Sequence, residues 1–175
     1  MGLHIKRRRK MGLLNWFKAL ASGKKVDEGA AEASVPAASP PADDPESGKI
    51  AGLDFKGAID AHMAWKVRLE KCMAGDNEEG LKVDVVSRDD QCVLGKWIHG
   101  VGGKKFGHLR EFQEMKMEHM RFHLAAGDVL ACCVAGDKDG AAEKLRAGEY
   151  PRASSRVKLH LSRLYVQLMD QPAGR

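Results

Sequence analysis

Aromatic side chains are scarce in this chain, at 6% of 175 residues, and β-branched residues are few. No long run alternates apolar with polar positions, so nothing argues for a half-buried sheet. Nor does any segment approach the ~20 consecutive apolar residues that span a bilayer. The four cysteines, Cys72, Cys92, Cys132 and Cys133, contain no CxxC pair and no disulfide-framework spacing. Adjacent cysteines such as Cys132 and Cys133 rarely bridge each other, so a reducing, cytoplasmic setting is expected. What is abundant instead is Ala, Leu, Lys, Arg, Glu and Met, residues that favour helix. The length suits one domain with a tail.

The formal charge of +5 is unevenly placed. Residues 1–25 carry eight Lys or Arg and no acid, and residues 26–49 carry one Lys against six acids. The remainder is left at +2, close to balance. The basic character belongs to the tail, and the domain gives no reason to expect a nucleic-acid partner.

Four regions follow. In residues 1–25, Leu13, Leu14, Trp16, Phe17, Leu20 and Ala21 recur at helical spacing with lysines elsewhere, which predicts a basic amphipathic helix or tail. Such a helix could lie on an anionic membrane surface or dock a partner. The "ALA" at 19–21 follows too short an apolar run for a signal peptide. Met11 is an alternative start to Met1. Residues 26–49 are Ala, Pro, Ser and acid, a solvated linker. Residues 50–169 are the domain, and 170–175 a short tail. The expected location is the cytoplasm, with peripheral contact at the inner membrane through residues 1–25 as an open alternative.

Within the domain the helical period is clear. Phe55, Ala58, Ile59, His62, Trp65, Leu69 and Met73 form one stripe, ended by "AGDNEEG". "LKVDVV" leads to "SRDD", where Ser87 or Asp89 is expected to cap a short helix holding Cys92 and Trp97. "GVGGKK" is expected to break it. A long helix follows, with Phe106, Leu109, Phe112, Met115, His119, Phe122, His123, Ala126, Val129, Leu130 and Cys133 along its buried side. A last helical region starts near Ala141, is interrupted at "GEYP", and resumes with Val157, Leu161 and Leu164. The fold class is all-α: an antiparallel, four-helix-like bundle with a short extra helix carrying a cysteine.

His119 and His123 stand four residues apart, a spacing that sets both side chains on one helical face. His62 lies in the first stripe and Cys92 at the second helix, so three helices each aim a nitrogen or sulfur inward. His3Cys is a suitable tetrahedral zinc set. Singly, each has a duller reading: a buried histidine is commonly a hydrogen-bonded core residue, and a lone buried cysteine a small hydrophobe. Burying all four without partners would be costly. On pattern alone, metal site and separately satisfied core groups both remain open.

"HMAWK" at 62–66, "CVLGKWI" at 92–98 and "HMRFH" at 119–123 together resemble the CZB family, the chemoreceptor zinc-binding domain, over roughly residues 50–169. The family pattern is HxxW, CxxGxW and HxxxH, and the intervals of 30 residues from His62 to Cys92 and 27 from Cys92 to His119 are similar to its own. The resemblance implies zinc bound by His62, Cys92, His119 and His123. It also implies a cytosolic regulatory domain that senses zinc availability or oxidants such as hypochlorous acid, beside chemoreceptor or diguanylate cyclase signalling and commonly as a homodimer. One departure is His99, where an aromatic is more usual; it offers a spare nitrogen nearby. Gly95, Trp97 and Trp65 are expected to be structural, and Lys66 and Lys96 solvated. His4, His108 and His160 are expected at the surface, and Cys72, Cys132 and Cys133 in the core rather than in a thiol relay. Four protein ligands leave zinc no open position, so an enzyme is not expected. A permanent zinc clamp for dimerisation or docking is the alternative to a sensor.

Overall fold

The computed structural model describes residues 13–23 and 48–170. The linker reading for residues 26–47, His4, and both candidate start methionines lie outside them. The elements run α1 (Leu13–Ala21), β1 (Lys49–Ile50), β2 (Leu53–Asp54), α2 (Phe55–Met73), α3 (Val83–Val86), α4 (Val93–His99), α5 (Val101–Phe106), α6 (Arg110–Val134), α7 (Lys138–Ala147) and α8 (Glu149–Met169). The helical bundle expected from composition is present. The two strands form only a tight antiparallel hairpin, Lys49 opposite Asp54 and Ile50 opposite Leu53.

Local chemistry sets the helix starts. Asp54 accepts from the Gly57 amide at 2.9 Å and caps α2, and Asp137 accepts from Gly140 at 2.9 Å and caps α7. Each carboxylate satisfies one of the amides a helix leaves unpaired and complements the positive end of its dipole.

α6 is the central element. It packs against α8 in opposite directions: Glu111 meets His160, Glu118 meets Arg156, and Phe122 meets Tyr150. α2 shares the direction of α6, because His62 faces His119 and His123 while Cys72 meets Cys133. Buried Phe112, Met115, Phe122, Leu130, Leu161 and Tyr165 fill the interior.

α1 lies on the C-terminal half of α8. Phe17 and Leu20 are buried, with the Phe17 ring centroid 3.9 Å from that of Tyr165. This is the apolar face that a bilayer would need, and it is taken up inside the fold. No helix among the described residues is long and apolar enough to cross a membrane.

One local expectation is corrected and two are narrowed. Neither Ser87 nor Asp89 caps the cysteine helix: Ser87 closes α3, and Cys92 itself is the N-cap of α4. "GVGGKK" does break the cysteine helix, at Gly100, but its other residues form α5, which takes in Phe106. The long helix therefore starts later than expected, with Leu109 as its N-cap. The glycines of α5 serve packing, since a Cβ on Gly102 would lie 2.5 Å from the Trp97 ring. "GEYP" likewise interrupts the last helical region as expected, at Gly148 between α7 and α8, but the break is one residue long. Pro151 already stands in the first turn of α8, where a missing amide costs nothing.

Candidate metal centre

His62 (α2), Cys92 (the N-cap of α4), and His119 and His123 (α6) converge on one point. One ligand atom from each lies within 4.8 Å of all the others. The three histidines are buried, at 5%, 0% and 2% exposure. Ring centroids of His119 and His123 stand 4.6 Å apart, as the i, i+4 spacing requires, and those of His62 and His119 5.1 Å.

The hydrogen bonds around the cluster show which atoms are left for a metal. His62 Nδ1 is 2.7 Å from the Ala58 carbonyl oxygen, and His123 Nδ1 is 2.8 Å from that of Val86. Each carbonyl can only accept, so each Nδ1 carries the proton and each Nε2 presents a lone pair. Both Nε2 atoms are buried with no partner, as is His119 Nδ1. A buried polar atom left unpaired costs about 1–3 kcal/mol. The two Nε2 lone pairs, gathered beside the His119 Nε2 that faces Cys92, point to a missing shared partner and not to separately satisfied core histidines.

Cys92 Sγ lies 3.3 Å from His119 Nε2 and accepts from the Gly95 amide at 3.2 Å. A tetrahedral zinc with bonds of about 2.0 Å to nitrogen and 2.3 Å to sulfur separates such a pair by roughly 3.5 Å. One thiol with three imidazoles is also the soft and borderline donor set that zinc favours. The residues fit the ion.

Two glycines permit this geometry. A Cβ on Gly95 would fall 1.7 Å from the Asp89 carbonyl oxygen, so only glycine lets the chain before Cys92 fold back over α4. A Cβ on Gly127 would fall 1.9 Å from Ser87 Oγ, so the bare surface of α6 admits α3 and with it the Val86 carbonyl. The structural role expected for Gly95 is thus its actual one, whereas Gly127, inside a helical run, carries no sequence signal for its purpose.

In the metal-free chain, burial drives every group of the cluster towards its neutral form. Desolvation lowers His62 to about 4, partly opposed by the Ala58 carbonyl. Desolvation and then His62 and His123 lower His119 to about 2. Desolvation also lowers His123, while carbonyl Val86 pulls the other way. The Cys92 thiol is raised by burial, offset in part by the amides of Gly95 and Leu94. Neutral imidazoles are the form that binds metal.

A groove of about 1200 Å³ opens onto the cluster, and His62, Cys92 and His123 lie on its wall while His119 sits behind them. Trp65 stands 6.4 Å from the His123 ring. Arg68 stacks on Trp65 at 3.9 Å and reaches Glu79 at 2.6 Å, drawing the loop after α2 across the groove. Trp97 sits in the core and donates from Nε1 to the Ala51 carbonyl at 2.9 Å, fastening α4 to the hairpin.

His99 is not in the cluster: it is exposed and lies 2.9 Å from Asp89 Oδ2. Lys66 and Lys96 are exposed, and so is His108. His160 is not the free surface residue expected, but half-buried and 2.6 Å from Glu111. Missed in the sequence was Glu118, 4% exposed on the buried side of α6 and paired with Arg121 at 2.7 Å and Arg156 at 3.6 Å.

No curated protein and no solved structure matches the chain. Residues 62–130 match the family model of the chemoreceptor zinc-binding domain, CZB. The matched span begins at His62 and contains Cys92, His119 and His123. Over these residues the chain is similar to a chemoreceptor zinc-binding domain, and the four side chains gathered there form a possible zinc site.

Proposed function

We propose that His62, Cys92, His119 and His123 together hold one zinc ion, and that the centre is a regulatory sensor of oxidant or of zinc availability. The observation that carries the ligand set is the convergence on one thiol of His119 Nε2 and of the unpartnered, buried Nε2 atoms of His62 and His123. Bound there, zinc would supply a positive centre that keeps Cys92 as thiolate, with no coordination position open to a substrate.

The chain supplies the rest. The carbonyls of Ala58 and Val86 hold two imidazoles in the tautomer that presents Nε2. The groove admits small reagents to Cys92 from one side. A two-electron oxidant such as hydrogen peroxide would oxidise the Cys92 thiolate to sulfenic acid: the sulfur takes one oxygen, the O–O bond breaks and hydroxide leaves. Cys92 is at once a ligand and the cap of α4, so this change removes the acceptor of the Gly95 amide as well as the donor to the metal. α4 carries Trp97, tied to Ala51 and packed on Phe55, so a shift of α4 reaches the start of α2. That is a local chemical event coupled to packing, which a switch requires.

Output through a second copy of the chain, or through a partner in chemoreceptor or diguanylate cyclase signalling, belongs to the same proposal. The exposed side chains of Met117, Met120 and Leu124, spaced along one face of α6, support such a contact. The competing reading is a permanent zinc clamp. Treating zinc-loaded protein with equimolar hypochlorous acid decides between them. The sensor reading expects modified Cys92, released zinc and altered helix content; intact Cys92 with retained zinc would leave the clamp.

A further inference from the structure

A second pair of groups meets on the same two helices, away from the metal cluster. Cys72 lies in the last turn of α2, and Cys133 in the last turn of α6. His62 packed on His119, and Trp65 three residues on facing His123, run α2 and α6 alongside each other in one direction. From His62 to Cys72 and from His123 to Cys133 is 10 residues in each helix, or about 15 Å of rise. The register therefore brings Cys72 beside the last turn of α6, where Cys133 is its neighbour. Both are half-buried and reduced, packed on the core yet within reach of solvent. Cys132 is the neighbouring residue on α6, turned about 100° around the axis.

We propose that Cys72 and Cys133 form a reversible intramolecular disulfide that staples the C-terminal ends of α2 and α6, a redox site separate from the metal cluster. It stands on the register of the two helices and does not depend on the zinc ligand set. With oxidised glutathione as oxidant the step balances. One cysteine loses its proton to water and its thiolate attacks a glutathione sulfur, giving a mixed disulfide and one glutathione thiolate. The second cysteine, deprotonated in turn, attacks the protein sulfur of that mixed disulfide and expels the second glutathione thiolate. Two protein thiols are oxidised by two electrons, and one glutathione disulfide is reduced to two thiols.

Burial, with Cys72 beside it, pushes the Cys133 thiol up to about 11. Once closed, the link joins the two helices that carry His62, His119 and His123, and limits how far they can part.

The test uses the full zinc-loaded chain, incubated with oxidised glutathione at about pH 8.5, alkylated and digested without reduction. The expected product is a peptide pair joined through Cys72 and Cys133, two hydrogens lighter than the sum of its parts and released by reductant. Cys132→Ser should give the same product. Cys72→Ser and Cys133→Ser should abolish it and leave a single glutathione adduct on the surviving partner. Should Cys72→Ser fail to fold, the Cys133→Ser loss carries the same information. Full alkylation of both cysteines after the incubation overturns the proposal, as does a link that runs through Cys132 or forms only in urea.

Discussion

Cys92 Sγ and His119 Nε2 stand 3.3 Å apart across 27 residues of chain, the closest approach recorded between thiol and imidazole in the cluster. The contact joins the short α4 to the long α6 and sets the depth at which α4 sits. Its chemistry gives the first expectation. Cys92→Ser removes the soft donor and weakens the cap of α4, where cap losses run at about 1 kcal/mol. Zinc affinity should fall by more than the roughly 10–100-fold seen when only an outer partner of a ligand is lost. Competition against a chromophoric chelator measures it; unchanged affinity would assign the fourth donor elsewhere.

The pH dependence of the zinc-free chain has a fixed sign. His62 is lowered to about 4 and His119 to about 2 by burial, against an ordinary value near 6.5. Below about 6.5 the unfolded chain takes up protons that the folded one refuses. Stability is therefore full above that pH and falls as acid is added, through about 4 for His62 and lower for His119. For His62 alone the fully developed loss is on the order of 3 kcal/mol. Urea midpoints measured from pH 7.5 to 4.5 should decline, and a flat profile would mean these rings are not buried neutral.

Gly127→Ala tests the seat of α3. The new methyl would meet Ser87 Oγ at 1.9 Å and push Val86 off His123. Overpacking of this kind costs about 1–3 kcal/mol, and zinc affinity should drop with it. Adding Ser87→Gly should recover most of both losses. Thermal melts and chelator competition on the single and double variants read the effect.

Glu79→Gln tests the strap over the groove. It breaks the Arg68 pair that holds the loop against Trp65. An exposed ion pair contributes roughly 0.2–1 kcal/mol, so the rate of zinc transfer to a chelator should rise by at most about fivefold. Equilibrium affinity should stay nearly unchanged, because no ligand is touched.

The sequence was most legible where chemistry is carried by residue type and period. His62 sits in an apolar stripe, and His119 with His123 in another, so their inward facing could be read from spacing. The ligand set came with the resemblance of the three motifs to the CZB family. The cap of α4 was not legible, because Cys92 is a poor capping residue by propensity and takes the role through its place in the cluster. "GVGGKK" and "GEYP" marked true breaks, at Gly100 and Gly148, but misled about their extent for a shared reason. Glycine and proline are usual breakers, but here glycine gives Trp97 room and proline occupies a first helical turn. The carbonyls of Ala58 and Val86 carry no side-chain signal. Glu118 was hidden because its arginine partners come from one turn away and from another helix.

X-ray absorption at the zinc edge of the native, zinc-loaded protein tests the central claim most directly. It should show one sulfur at about 2.3 Å and three nitrogens near 2.0 Å, with the sulfur scatterer gone in Cys92→Ser. A native spectrum without sulfur, or a protein that retains no zinc at all, would contradict it.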